Sequence, residues 1–101
     1  MDMKKDTLLQ RGVVRVVISG PLRLILGKEI IIDYNDGITI HDIVNQLSKL
    51  YNEKTGRGHN KFSDLLNQLI IYINGNRWDK KTYLKIDRDT RIDIIHIING
   101  G

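Results

Sequence analysis

The sequence contains no cysteine among its 101 residues. This excludes a disulfide, a thiolate metal site and a cysteine nucleophile, so any sulfur chemistry would have to use another atom. Long apolar runs are also absent, since none approaches the roughly 20 residues of a membrane-spanning helix. Residues 1–6 are charged and lack the apolar stretch of a secretory signal. These absences predict a cytoplasmic protein with no membrane partner.

The composition is 41% hydrophobic and 28% charged, which predicts one soluble globular domain. The formal charge of +4 raises the possibility of an acidic partner, including nucleic acid. However, the basic residues are scattered, and most have Asp or Glu nearby. A mixed, solvated surface explains this pattern at least as well as a binding stripe.

The first half of the chain predicts two strands and a helix. Val13–Ser19 has the period-two pattern of a half-buried strand, and Gly20–Pro21 ends it because proline lacks an amide hydrogen. Lys28–Tyr34 is a second strand, and the short connection between the two suggests a hairpin. Thr39 and Asp42 have the spacing of a capping box, which opens an amphipathic helix. Its apolar residues recur at helical spacing: Ile40, Ile43, Val44, Leu47 and Leu50.

The second half predicts a polar loop, a short helical turn, a strand, a tight turn, an irregular or strand segment, another turn and a last strand. In the helical turn, Ser63 is the expected N-cap. In order, these segments are Lys54–Lys61, Ser63–Leu66, Leu69–Ile73, Asn74–Gly75, Trp78–Leu84, Asp87–Thr90 and Arg91–Ile98.

This order of elements predicts an α+β fold in which a mixed sheet of four to five strands carries one main helix across one face. If the first and last strands are parallel neighbours at the centre, the topology is the β-grasp of ubiquitin. We expect the domain to cover residues 13–98, after a flexible N-terminal segment, residues 1–12, and before a flexible tail, residues 99–101.

The tail ends on Gly100–Gly101, directly after the last predicted strand. A glycine pair makes a thin terminus without side chains, and its free carboxylate could be threaded into a narrow enzyme channel. The alternative is a frayed end, which is common for terminal residues. The tail alone favours neither interpretation.

Several of these segments together resemble the sulfur-carrier branch of the ubiquitin superfamily, which includes the molybdopterin-synthase small subunit, the thiamine-pathway carrier and the ubiquitin-related modifier. They are the first strand, the helix opened by Thr39, the acidic turn Asp87–Asp89 and the terminal Gly100–Gly101. The sequence from Ile73 to Trp78 is similar to the turn leading into tryptophan in the ubiquitin-related modifier. Molybdopterin-type carriers often have prolines before the glycine pair, where this chain has Ile97–Asn99.

The resemblance implies a function for the tail. An ATP-dependent enzyme of the ubiquitin-activating type would adenylate Gly101, and a persulfide-bearing sulfurtransferase would then convert it to a thiocarboxylate. Gly100 and Asn99 would form the tail that enters the enzyme. ATP, magnesium and zinc would belong to partner enzymes, and this chain would bind no cofactor and act as a co-substrate. The sulfur would pass to a tRNA-thiolation enzyme or a molybdopterin-synthase large subunit, or target lysines would instead attack the activated glycine in protein conjugation.

Ubiquitin-like domains dock partners through an apolar patch on the open face of the sheet. If Arg91 and Asp93 face outward, Ile95 and Ile97 do so too, beside Val17 of the first strand. We therefore hypothesise that Val17, Ile95 and Ile97 form the docking surface. The alternatives are that the strand phase is shifted by one residue, or that isoleucine is simply abundant through genomic codon bias.

Other residues of chemical interest have structural explanations. The histidines show no metal-ligand spacing, the tryptophan is expected to anchor packing, and the two aspartates are typical of a turn. These residues are His41, His59, His96, Trp78, Asp87 and Asp89. No nucleophile–base pair indicates an enzyme. The remaining rival is a basic, non-covalent nucleic-acid-binding module, which should work without Gly100–Gly101.

Overall fold

The computed structural model describes residues 12–56 and 61–97. Within these ranges the helices and strands follow the order that the sequence predicts, and there are two additional short elements, one helix after the first strand and one strand after Gly75. In chain order the elements are β1 (Val13–Ser19), α1 (Arg23–Leu26), β2 (Glu29–Asp33), α2 (Ile40–Thr55), α3 (Lys61–Leu66), β3 (Leu69–Ile73), β4 (Asn76–Arg77) and β5 (Arg91–His96). No helix in the described ranges is long and apolar enough to cross a membrane.

The strands form one mixed sheet of five in the order β2-β1-β5-β3-β4. β1 and β5 are parallel at its centre, with Val16 opposite Ile92. β2 pairs antiparallel with β1, and β3 pairs antiparallel with β5 and β4. A parallel pair requires a crossover connection, and α2 supplies a helix for it. The predicted α+β, β-grasp topology is therefore confirmed.

The main helix, α2, begins in the predicted capping box. The Asp42 amide donates to Thr39 Oγ1 at 3.2 Å, and the Thr39 amide donates to Asp42 Oδ2 at 2.9 Å. The buried face of the helix carries Ile40, Ile43 and Leu47. These side chains join the even-numbered aliphatic residues of β1 and β5 in one core, where each fully buried aliphatic side chain contributes about 1.5–3 kcal/mol.

Three local predictions need correction. The connection between β1 and β2 contains the four-residue helix α1, which is too short to show a helical period in the sequence. Helix α2 continues through Thr55 and ends at Gly56 with φ of 69°, so the predicted loop begins two residues too early. Helix α3 already begins at Lys61, so Ser63 is not its N-cap.

The predicted turn after β3 agrees with the sequence. Asn74 and Gly75 have φ of 48° and 84° and close the β3–β4 hairpin. Both values are positive, as a two-residue hairpin turn of this type requires. The last strand ends at His96, earlier than predicted. Residues 1–11 and the tail residues Asn99, Gly100 and Gly101 lie outside the described ranges.

Candidate functional site

The odd-numbered residues of β1 and β5 lie on the face of the sheet opposite the core. Val17 is in register with Asp93, and Ile95 follows two residues along β5. The two apolar side chains are therefore diagonal neighbours, with Cα atoms on the order of 7 Å apart. Val17 is half-buried, whereas Ile95 is 37% exposed. The predicted strand phase is confirmed, and docking on this face stays a prediction.

Strand β3 adds two further apolar side chains to this face. Ile70 is opposite Ile95 in the antiparallel pair, and Tyr72 is opposite Asp93; both are half-buried. Ile97, the next odd-numbered residue after β5, is 41% exposed. Ile70 and Tyr72 were not predicted as part of this face. Every residue of β3 is apolar, so no alternation of polar and apolar side chains indicates which side of the strand faces outward. We call the following residues the open-face patch: Val17, Ile70, Tyr72, Ile95 and Ile97.

Charged residues on the same face neutralise one another locally. Arg15 Nε lies 3.3 Å from Glu29 Oε2, and Arg91 binds Asp93 with Nη2–Oδ1 at 2.9 Å. The hydrogen bonds that Arg91 donates to the Asp93 carboxylate raise the pKa of Arg91 above its usual value. Exposed pairs of this kind contribute little to stability. The register places Asp93 between Val17 and Tyr72, so one of these paired charges lies within the apolar area of this face.

The root of the tail is fixed by backbone contacts. The Ile97 amide donates to the Gln68 carbonyl at 3.1 Å. One residue earlier, His96 Nδ1 accepts a hydrogen bond from the Leu22 amide at 3.1 Å, which places the proton of a neutral imidazole on Nε2. The Gly20 backbone packs against the His96 carbonyl, because an added Cβ there would lie 2.5 Å from that oxygen. The chain therefore leaves the domain from a defined position beside Ile95.

A polar turn follows β4, an edge strand of the sheet. Asp79 Oδ1 accepts from the amides of Lys81 and Thr82 at 2.7 Å, and Asp79 Oδ2 accepts from Thr82 Oγ1 at 2.6 Å. These hydrogen bonds, above all the one from the Thr82 hydroxyl, lower the pKa of Asp79 to about 2. Trp78 is 4% exposed and donates from Nε1 to the Thr82 carbonyl at 2.8 Å, which confirms it as a packing anchor.

We expect replacement of Thr82 by valine to raise the pKa of Asp79 from about 2 toward the ordinary value of 3.8, because the largest cause of the shift is removed. The folded-state pKa is depressed, so this carboxylate stabilises the fold above about pH 4 and loses that effect as pH falls toward 2. A carboxyl ¹³C NMR titration measures the midpoint. Thr55→Val, which removes a hydroxyl bonded to the Tyr51 carbonyl, is the matched control. An unchanged Asp79 midpoint in Thr82→Val would contradict this assignment.

The histidines have separate environments. His41 stacks on Tyr83 with centroids 5.6 Å apart, His96 lies at the root of the tail, and His59 is outside the described ranges. In the part of the chain that the structure describes, no three His, Asp or Glu side chains are grouped to hold a metal ion.

The architecture is that of the ubiquitin-like β-grasp class, and solved structures of that class are similar to this chain. SAMP1 from Haloferax volcanii matches with a TM-score of 0.67 and 14% identity, covering 89% of this chain and all of that one. A putative molybdopterin converting factor subunit 1 from Pyrococcus furiosus gives 0.59 and 18%, covering 86% and 99%. Urm1 from Trypanosoma brucei gives 0.58 and 13%, covering 90% and 97%.

The resemblance expected from the sequence is thus confirmed at the level of structure, and at these identities it shows the fold alone. At the level of sequence, neither a known family nor a curated protein matches the chain.

Proposed function

We propose that this protein is a ubiquitin-like sulfur carrier whose C-terminal Gly101 is adenylated and converted to a thiocarboxylate. The observation that carries the proposal is the position of the glycine pair. The pair follows β5, the central strand of a β-grasp sheet, and the Ile97 amide after that strand is held by the Gln68 carbonyl. The structural similarity to SAMP1, Urm1 and a molybdopterin converting factor subunit supports a carrier over a catalyst.

The chemistry requires activation because a carboxylate is a poor electrophile. An oxygen of the Gly101 carboxylate attacks the α-phosphorus of ATP, which releases pyrophosphate and leaves an acyl adenylate. A persulfide sulfur of the donor enzyme then attacks the carbonyl carbon, and AMP leaves. A second thiol cleaves the resulting S–S bond, which gives the Gly101 thiocarboxylate and a disulfide on the donor. Magnesium and zinc, like ATP, would be held by these partner enzymes.

We further propose the open-face patch as the surface that docks the activating enzyme. Its apolar side chains are adjacent across three strands, and Ile95 and Ile97 are exposed immediately before the tail. A partner seated on them would hold the tail near its active site. Because transient interfaces depend on a few central apolar residues, we expect Ile95 to contribute most there.

We propose that the protein acts in the cytoplasm. After activation, the sulfur acceptor would be either a tRNA-thiolation enzyme or a molybdopterin-synthase large subunit. Conjugation to target lysines uses the same activated Gly101, with a lysine amine attacking the carbonyl carbon. The alternative, in which the protein is solely a nucleic-acid-binding module, needs no activated terminus. Loss of the glycine pair should therefore abolish the carrier function and leave nucleic-acid binding unchanged.

The test is the intact mass of the protein after incubation with its cognate activating enzyme, ATP and a persulfide donor. We expect a mass gain equal to the exchange of one oxygen for sulfur, located on the C-terminal peptide. In a variant that lacks Gly100 and Gly101 we expect complete loss of this gain. The variant still ends in a carboxylate, so the loss would report the length and thinness of the tail.

Thermal unfolding of the deletion variant should match that of the full chain, which separates loss of chemistry from loss of fold. Gly101→Ala is a second control, because it keeps the tail length and adds only a Cβ beside the reacting carbon. A full chain that forms neither an adenylate, a thiocarboxylate nor lysine conjugates would refute the carrier function.

A further inference from the structure

A cavity of about 390 Å³ lies between the β3–β4 hairpin and the segment that follows it. Buried or half-buried apolar side chains form its floor, among them Ile73, Trp78 and Ile86. Exposed polar side chains surround it, including Asn76 and Lys85. We call this the hairpin cavity. An apolar floor with a polar rim is the usual composition of a ligand site.

The hairpin cavity and the turn beside it carry an excess of cations. Arg77 and Lys85 line the cavity, whereas Lys80 and Lys81 belong to the adjoining turn. Residues 77–85 include four cations, Arg77, Lys80, Lys81 and Lys85, and a single carboxylate, Asp79. Asp79 is already engaged by the two backbone amides and the hydroxyl of its own turn. The ion pairs seen across the described residues involve none of these four cations. The region therefore has positive charge that the fold itself does not neutralise.

The lysines are presented by a backbone in an unusual conformation. Lys80 has φ of 69°, a left-handed value that is unfavourable for a residue other than glycine. The hydrogen bonds of Asp79 hold the turn in this conformation. Burial lowers the pKa of Lys80, and the nearby Arg77 guanidinium lowers it further. The two cations are thus close enough to repel each other, which an anionic ligand would relieve.

An exposed aromatic ring lies between two residues of the cavity wall. Tyr83 is 68% exposed although its neighbours Thr82 and Leu84 line the hairpin cavity. The ring stacks on His41 at an interplanar angle of 20°, and His41 in turn meets Trp78 edge-on at 5.7 Å between centroids. The stack fixes the tyrosine while leaving most of it open to solvent.

We propose that the hairpin cavity, the adjoining turn of residues 79–82 and Tyr83 form a binding site for single-stranded nucleic acid. Phosphates would lie against Arg77, Lys80 and Lys81, and a base would stack on Tyr83. Unpaired cations beside an accessible aromatic ring are the combination by which proteins bind single strands without reading their sequence. An acidic peptide would account for the cations, but it gives no role to a fixed, exposed ring.

This site is separate from the carrier terminus. The Trp78 amide donates to the Ile71 carbonyl, so β3 lies between this segment and β5, the strand that leads to the tail. At roughly 4.8 Å per strand, the segment lies about 10 Å from β5 across the sheet. Nucleic-acid binding therefore needs neither Gly101 nor its activation, and each function can fail without the other.

The experiment is fluorescence anisotropy of a labelled ten-nucleotide single-stranded RNA across a salt series. For the double variant Lys80→Gln/Lys81→Gln we expect weaker binding and a log–log salt slope that is shallower by about 1.4, or roughly 0.7 for each phosphate that the variant no longer neutralises. For Tyr83→Ala we expect weaker binding by about fivefold to a hundredfold with an unchanged slope, because stacking is not ionic.

Lys28→Gln and Tyr34→Ala are the matched controls, since they remove an exposed cation and a half-buried tyrosine elsewhere on the domain. Both should bind RNA as the unaltered chain does, and so should the Gly100–Gly101 deletion. Equal effects of Lys28→Gln and the double variant, or normal binding by Tyr83→Ala, would overturn the site. Displacement of the RNA by polyglutamate at the same charge concentration would assign the cavity to an acidic protein partner instead.

Discussion

Replacing Gly20 by alanine should destabilise the domain by roughly 2–5 kcal/mol. Gly20 has φ of 88°, a value that costs an alanine about 1–2 kcal/mol. The added Cβ would also lie 2.5 Å from the His96 carbonyl oxygen, and backbone atoms cannot move aside as a flexible side chain could. Overpacking of this kind typically costs about 1–3 kcal/mol. Urea unfolding of the variant measures the sum.

Gly37→Ala separates the two contributions. Gly37 has the same φ of 88°, but a Cβ there meets nothing within 4 Å. We therefore expect Gly37→Ala to lose only about 1–2 kcal/mol. Equal losses in the two variants would mean that the contact with His96 has no energetic consequence.

The contact at Gly20 also links the fold to the proposed carrier chemistry. Displacement of the His96 carbonyl would shift the end of β5, and with it the bond from the Ile97 amide to the Gln68 carbonyl at 3.1 Å. Adenylation of Gly101 should be compared at a temperature where both glycine variants are fully folded. Under that condition we expect it to be slower in Gly20→Ala than in Gly37→Ala. Equal rates would show that the exit direction of the tail does not matter.

The sequence predicts those elements whose side chains alternate in polarity. β1 has Arg15 and Ser19 on one side and only aliphatic residues on the other, so its pattern indicates both its bounds and its outer face. β3 has the right bounds, but its five residues are all apolar, and pairing with β5 alone determines that Ile70 faces outward. The part of the open-face patch that β3 contributes was hidden for this reason.

The hairpin cavity could not be predicted because contacts distant in sequence create it. Lys85 is positioned by a bridge to Thr39, and the Ile40 amide donates to the Leu84 carbonyl at 3.0 Å. The stack of Tyr83 on His41 joins the beginning of α2 to a segment that follows β4. Local sequence patterns and hydrophobic periodicity do not predict contacts between residues so far apart in the sequence. The sequence shows Lys80, Lys81 and Tyr83 as neighbours, but it does not show that the ring is held by His41.

The second large effect concerns Ile95, which we propose as the centre of partner docking. Ile95→Asp should lower the rate of Gly101 adenylation at subsaturating protein concentration by about 30-fold or more, the equivalent of an interface hot spot of 2 kcal/mol. The carboxylate would replace an exposed apolar contact with a charge beside Asp93, two residues earlier on the same face. The folded state should survive, with a loss of about 1 kcal/mol from poor strand propensity.

Two further aspartate variants make this result specific. Ile94 is 2% exposed on the opposite face of the same strand, so Ile94→Asp buries a carboxylate and should unfold a domain whose total stability is only about 5–15 kcal/mol. Ile31 is 49% exposed on the edge strand β2, in register with Arg15 and two strands away from β5. Ile31→Asp should therefore fold and be adenylated within about threefold of the normal rate, because surface changes outside an interface are nearly neutral.

The pattern across the three variants distinguishes docking from stability. Ile94→Asp should disrupt folding, because Ile94 lies in the core. Ile95→Asp should disrupt adenylation, because Ile95 lies in the open-face patch. If Ile95→Asp is adenylated normally, the patch is not the docking surface. If Ile31→Asp is impaired as strongly as Ile95→Asp, the enzyme recognises the charge of the whole face, and the local apolar contact beside the tail loses its proposed role.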